Sequence, residues 1–127
     1  MSHLPDELLY TLFASDLAQD VRAEFSERRG YGLSVADATG ATVAAFRHLL
    51  GRPDEGPVVI VALAALQLRD GALDATFREA AIDLLREGHD FQARAEENPS
   101  ARRDRQRLRQ ELLELLERAE PAAPPED

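Results

Sequence analysis

Residues 57–68 read PVVIVALAALQL, a stretch of helical length without a single charge. An amphipathic surface helix shows one apolar stripe, whereas a helix apolar on every side must be enclosed by other elements. The stretch therefore predicts a buried central helix over about 57–69. Pro57 suits its first helical position, where the missing N–H has no partner to lose, and Gly71 marks its end.

The remaining apolar positions recur at helical spacing, and no alternating β-branched run bounded by turn residues suggests a strand. Ser15 or Asp16 starts a helix reaching about Arg29, with Leu17, Val21 and Phe25 on one face and Gly30 and Gly32 closing it. Ser34 and Asp37 form a capping box for a helix through Ala38, Val43, Ala45, Phe46 and Leu49 to Gly51. Gly40 inside it costs about 1 kcal/mol relative to Ala, a sign of close helix packing. Asp74 caps the next helix, whose apolar face is Phe77, Ala81, Leu84 and Leu85 and whose end is Gly88. Asp90 opens a short helix to Glu97, stopped by Asn98-Pro99 because the residue before proline avoids the α region. Ser100 caps the last helix, which docks through Leu108, Leu112, Leu115 and Leu116. Residues 5–13 fit either a helical turn from Asp6 or an extended arm packing Leu8, Leu9, Leu12 and Phe13.

The expected fold is all-α, a compact single-domain bundle of five or six helices over 1–118 around the central one, followed by a disordered, acidic, Pro-rich tail at 119–127. The absence of Cys removes disulfides, thiolate zinc sites and thiol catalysis. Residues 57–68 fall short of the about 20 needed to span a bilayer, and MSHLPDELLYTLF lacks a basic n-region. A cytoplasmic protein without a membrane partner is expected. All 15 basic residues are Arg, a bias typical of GC-rich bacterial coding.

FASDLAQDVRAEFSERRGYGLSVADAT followed by DEGPVVIVALAALQLRDGAL resembles a family of small all-helical bacterial proteins, a domain of unknown function. Its pattern is an acidic helix start D-x-A-x-D-V, a Gly, an acidic-Ala-Thr second helix, a D-x-G-P opening, A-L-A-x-x-Q-x-x-x-G-x-L and an Arg/Lys-rich last helix. The matching residues are Asp16, Ala18, Asp20, Val21, Gly32, Asp37, Ala38, Gly56, Pro57, Ala62, Leu63, Ala64, Gln67, Gly71 and Leu73, within residues 13–118. The family's Trp-Gly-x-Gly-x-Phe opening is replaced by Leu8-Leu9-Tyr10-Thr11-Leu12-Phe13. The resemblance implies a small helical bacterial protein and no particular activity.

Net charge is −9 and unevenly spread: residues 1–100 carry −8, residues 101–118 carry +2 and the tail carries −3. The acidic body disfavours general nucleic-acid binding, which needs a positive surface. In the last helix Arg102, Arg103, Arg105, Arg107 and Arg109 precede Glu111, Glu114 and Glu117. The macrodipole favours the reverse order by about 0.3–1 kcal/mol per well-placed charge. Complementarity to the acidic body, to a protein partner or, least of all, to nucleic acid explains the order better than helix stability.

Asp16, Asp20 and Glu24 share a helix face, Asp54 and Glu55 lie at the mouth of the central helix, and His48 lies one turn before the loop. These carboxylates either complement helix N-termini in solvent or hold a divalent cation, although the Glu-x-x-His pattern of helical metal proteins is absent. Gln67, the one polar side chain inside the central helix, either bonds a loop backbone or grips a ligand. His89 reads as a helix C-cap. No nucleophile elbow, phosphate loop, HExxH or dinucleotide fingerprint occurs. The expected function is a small non-enzymatic protein-interaction module of immunity or antitoxin kind, needing no cofactor and binding a protein partner or itself through Arg102, Arg103, Arg105, Arg107, Arg109, Asp16, Asp20, Asp54 and Glu55. The alternative is a helical ligand- or divalent-metal-binding module.

Overall fold

The computed structural model describes residues 4–89 and 99–121. Among the described residues there are seven helices and no strand: α1 Asp6–Leu12, α2 Asp16–Gly30, α3 Val35–Ala45, α4 Arg47–Leu50, α5 Gly56–Arg69, α6 Ala75–Arg86 and α7 Pro99–Arg118. The all-α expectation holds. The short helix expected over residues 90–97 lies outside the described residues, as do residues 122–127 of the expected tail.

Along α5 every residue from Gly56 to Leu68 is buried except Ile60, which is half-buried. α2, α4 and α6 pack against it, α3 packs on α2 and α4, and α7 lies on α6 and α1. Each of the larger apolar side chains removed from water stabilises the fold by about 1.5–3 kcal/mol. The core joins Leu8, Leu12, Phe25, Leu63, Leu66, Leu108, Leu112 and Leu116 in one cluster. The segment expected as either helix or extended arm is helical over Asp6–Leu12, and it buries Leu8, Leu12 and, just past its end, Phe13.

Local chemistry sets most boundaries. The side chains of Ser15, Ser34 and Asp74 accept from the backbone N–H groups of Ala18, Asp37 and Phe77 at 3.2, 3.1 and 3.1 Å, each supplying an otherwise orphaned donor with a partner. α2, α5 and α6 close in one way. The N–H groups of Leu33, Ala72 and His89 bond back to the carbonyls of Arg28, Gln67 and Leu84, with Gly32, Gly71 and Gly88 at positive φ just before them, as in the Schellman arrangement. His89 closes α6 through its backbone.

Several boundaries differ from expectation. The second expected helix breaks at Phe46 instead of running to Gly51. Thr42 Oγ1 donates to the Ala38 carbonyl at 2.8 Å, a back-bond that bends helices, and the break lets Leu49 bury in α4. Val35, Ala38, Thr39 and Thr42 form the inner face of α3, while Ala45 is exposed. Pro57 is the second residue of α5, after Gly56. Ser100 lies inside α7, which opens on Pro99, a residue whose missing N–H is harmless in the first turn. Ala119, expected in the tail, is buried with its N–H on the Leu115 carbonyl at 3.0 Å.

The glycines Gly40 and Gly56 have opposite surroundings. A Cβ at Gly40 meets nothing within 4 Å, so the expected close packing is absent among the described residues. A Cβ at Gly56 runs into the Leu50 carbonyl, where α4 turns into α5. Gly40→Ala should therefore raise stability by about 1 kcal/mol, whereas Gly56→Ala should lower it by about 1–3 kcal/mol through overpacking. Urea unfolding of the two variants checks both signs.

Candidate interaction surface

α7 divides its arginines between internal and external work. Arg107 donates from Nη2 to Glu7 of α1 at 2.8 Å and from Nη1 to Glu111 at 3.1 Å. The Glu7 hydrogen bond and charge hold its guanidinium above the usual arginine range. Arg109 Nη1 donates to the Gly88 carbonyl at 3.0 Å, just past the end of α6. Arg105 is half-buried and engaged within the molecule. Arg102 and Arg103 are exposed and make no bond to any other described residue.

α6 returns the service given by Arg109. Arg78 Nε donates to the carbonyls of Leu116 and Ala119 at 2.8 and 3.1 Å, and its Nη2 donates to that of Glu117 at 2.9 Å. Cations are favoured at a helix C-terminus, where carbonyls lack partners and the macrodipole is negative. Arg86 pairs with the Glu117 carboxylate. These side chains, with Glu79, Ile82 and Asp83, line an open cleft of about 590 Å³. Arg78 was not legible beforehand, since nothing in its neighbourhood along the chain announces a contact some forty residues away.

The acidic candidates stay apart in function. Asp16 and Asp20 are exposed near the start of α2, whereas Glu24 is bound to Arg28 at 2.6 Å. Asp54 is exposed in the loop before α5, and Glu55 pairs with Arg52 at 3.1 Å. Among the described residues no three His, Asp or Glu side chains are grouped to hold a metal ion. The carboxylate best integrated into the fold is one the sequence did not single out: Asp70, which receives Arg29 at 3.2 Å and Arg69 at 2.9 Å, joins the end of α2 to that of α5.

Both ends of the Gln67 amide are bonded within the core. Its Nε2 donates to Thr39 Oγ1 at 3.0 Å, and its Oε1 accepts from the Asp74 N–H at 3.0 Å. The loop-backbone bond expected of it is present, and Thr39 adds a second partner from α3. One amide thus fixes the rotation of α5 against α3 and the approach of the turn leading into α6.

No protein-family model, curated protein or solved structure matches the chain. Among the described residues no helix is long and apolar enough to cross a membrane. Unengaged features of the surface include the Arg102/Arg103 pair, the exposed acids Asp16, Asp20 and Asp54, and two exposed aromatics, Tyr10 and Tyr31.

Gln67→Leu keeps the volume but leaves the Asp74 N–H and the Thr39 hydroxyl without their partner. It should cost about 1–3 kcal/mol, the penalty for orphaned buried polar groups, as measured by chemical denaturation. Arg78→Met should cost about 1 kcal/mol, because the carbonyls it leaves are partly reached by water. Amide exchange should accelerate in the last turn of α7 and leave α5 unchanged.

Proposed function

We propose that the chain is a small non-enzymatic protein-interaction module of the immunity or antitoxin kind, contacting its partner with the first turns of α7. The observation that carries this reading is the exposed Arg102/Arg103 pair. Arg107 and Arg109 are held by Glu7, Glu111 and Gly88, so internal complementarity accounts for part of the arginine run. It leaves out Arg102 and Arg103, which lie at the positive end of the helix dipole where cations are disfavoured. A partner carboxylate patch gives them the stabilisation the chain itself withholds, and Arg matches carboxylate in a bidentate fork.

The acidic body supports the same reading from a greater distance. With net charge −9, and with Asp16, Asp20 and Asp54 exposed, the molecule is steered toward a partner that is basic overall. The arginine pair then sets the docking register by selecting an acidic spot on that partner. Long-range attraction and local specificity are assigned to different charges.

Reversing the pair separates binding from folding. Arg102→Glu/Arg103→Glu should raise the melting temperature by about 1–4 °C, because acids replace bases in the first turns of a helix. The same variant should lose the protein captured stoichiometrically by the wild-type chain from extracts of its own host. Capture that is indifferent to the reversal, or no stoichiometric capture by the wild type, would refute the assignment.

A further inference from the structure

α3 is the chain's second largely apolar helix, and its fate is unlike that of α5. Val35–Ala45 reads VADATGATVAA, with Asp37 as its single charge. One side packs on α2 and α4. The other leaves Ala36, Gly40 and Ala44 exposed, with Val43 and Phe46 half-buried at its border. A helix apolar all round is normally enclosed, and among the described residues α3 is enclosed on one side alone.

The two ends of that outer face carry opposite charges. Asp37 lies in the first turn and Arg47 just beyond the last; both are exposed, and among the described residues neither has an ion-pair partner. A chain of net charge −9 repels a copy of itself over most approaches. That repulsion is weakest where the surface holds no charge, along the middle of α3.

We propose that the outer face of α3 is a self-association site on which a second copy of the chain docks antiparallel. A two-fold interface is isologous, so every contact occurs twice. In the antiparallel pair the Asp37 end of each helix lies beside the Arg47 end of the other, and the helix dipoles are opposed. The charge pattern is thus complementary to itself. Gly40, where an added Cβ meets nothing among the described residues, lets the two backbones approach near the centre. α3 is about 16 Å long, so its face falls well short of the roughly 800 Å² per partner of a stable interface. The dimer is weak and reversible, and it uses a surface separate from the arginine pair of α7.

Sedimentation velocity on the full chain, from micromolar to millimolar, tests the proposal. A reversible monomer–dimer equilibrium is expected, with Asp37→Arg and Arg47→Asp each weakening it roughly tenfold. The double variant Asp37→Arg/Arg47→Asp should restore association to near the wild-type level, because the two charges exchange roles across the two-fold axis. Gly40→Leu should abolish the dimer, with thermal unfolding confirming that every variant remains folded. Arg102→Glu/Arg103→Glu should leave the dimer unchanged, which keeps this test independent of the proposed partner surface. A monomer at all concentrations, a dimer indifferent to Gly40→Leu, or a double reversal as weak as the single ones overturns the proposal.

Discussion

The fold depends on the need to enclose a helix that has no polar face. α5 buries its side chains toward α2, α4 and α6, and those neighbours acquire their inner faces by matching it. Apolar burial is not directional, so this requirement alone leaves α5 free to rotate and slide. Gln67 removes that freedom. Its amide satisfies both Thr39 in α3 and the Asp74 N–H before α6, and a buried amide left without partners is costly. Burial supplies the main stabilisation, and one polar side chain selects the register.

A second constraint acts at the helix ends. Arg109 of α7 reaches the carbonyl past α6, and Arg78 of α6 reaches three carbonyls at the end of α7. Each helix supplies a cation to the other's negative end. This exchange explains part of a charge order that looks unfavourable when α7 is considered alone, because Arg109 serves the C-terminus of a different helix. It also distinguishes the arginines of α7 absorbed by the fold from those left over, among them Arg102 and Arg103 in its first turns.

α3 and α5 show why hydropathy is an incomplete guide to burial. Both are apolar around most of their circumference, but α5 has packed neighbours around it and α3 lies at the margin. The large Leu and Val side chains of α5 gain much from leaving water, whereas the Ala and Gly residues on the outside of α3 gain little. The monomer therefore tolerates exposing them. Gly40 illustrates how little one residue type decides: a mid-helix glycine suggested close packing, and among the described residues its surroundings are open.

Local chemistry in the sequence determined the all-α class, the caps at Ser15, Ser34 and Asp74, the glycine closures after α2, α5 and α6, and the enclosure of α5. Each follows from a residue's own conformational and hydrogen-bonding preferences, or from a periodicity spanning a few turns. The break at Phe46 was less legible, because no glycine, proline or capping residue stands there and the apolar spacing runs on to Leu49. Only the tertiary structure decided the partners of Arg29, Arg78, Arg107 and Arg109, the joining of α2 to α5 through Asp70, and which charged candidates remain unengaged. Long flexible side chains reach whatever the packing brings near, so their sequence positions do not encode their contacts. The candidate surface was therefore visible as a set of charges, and folding reduced the arginine run to a pair without partners among the described residues.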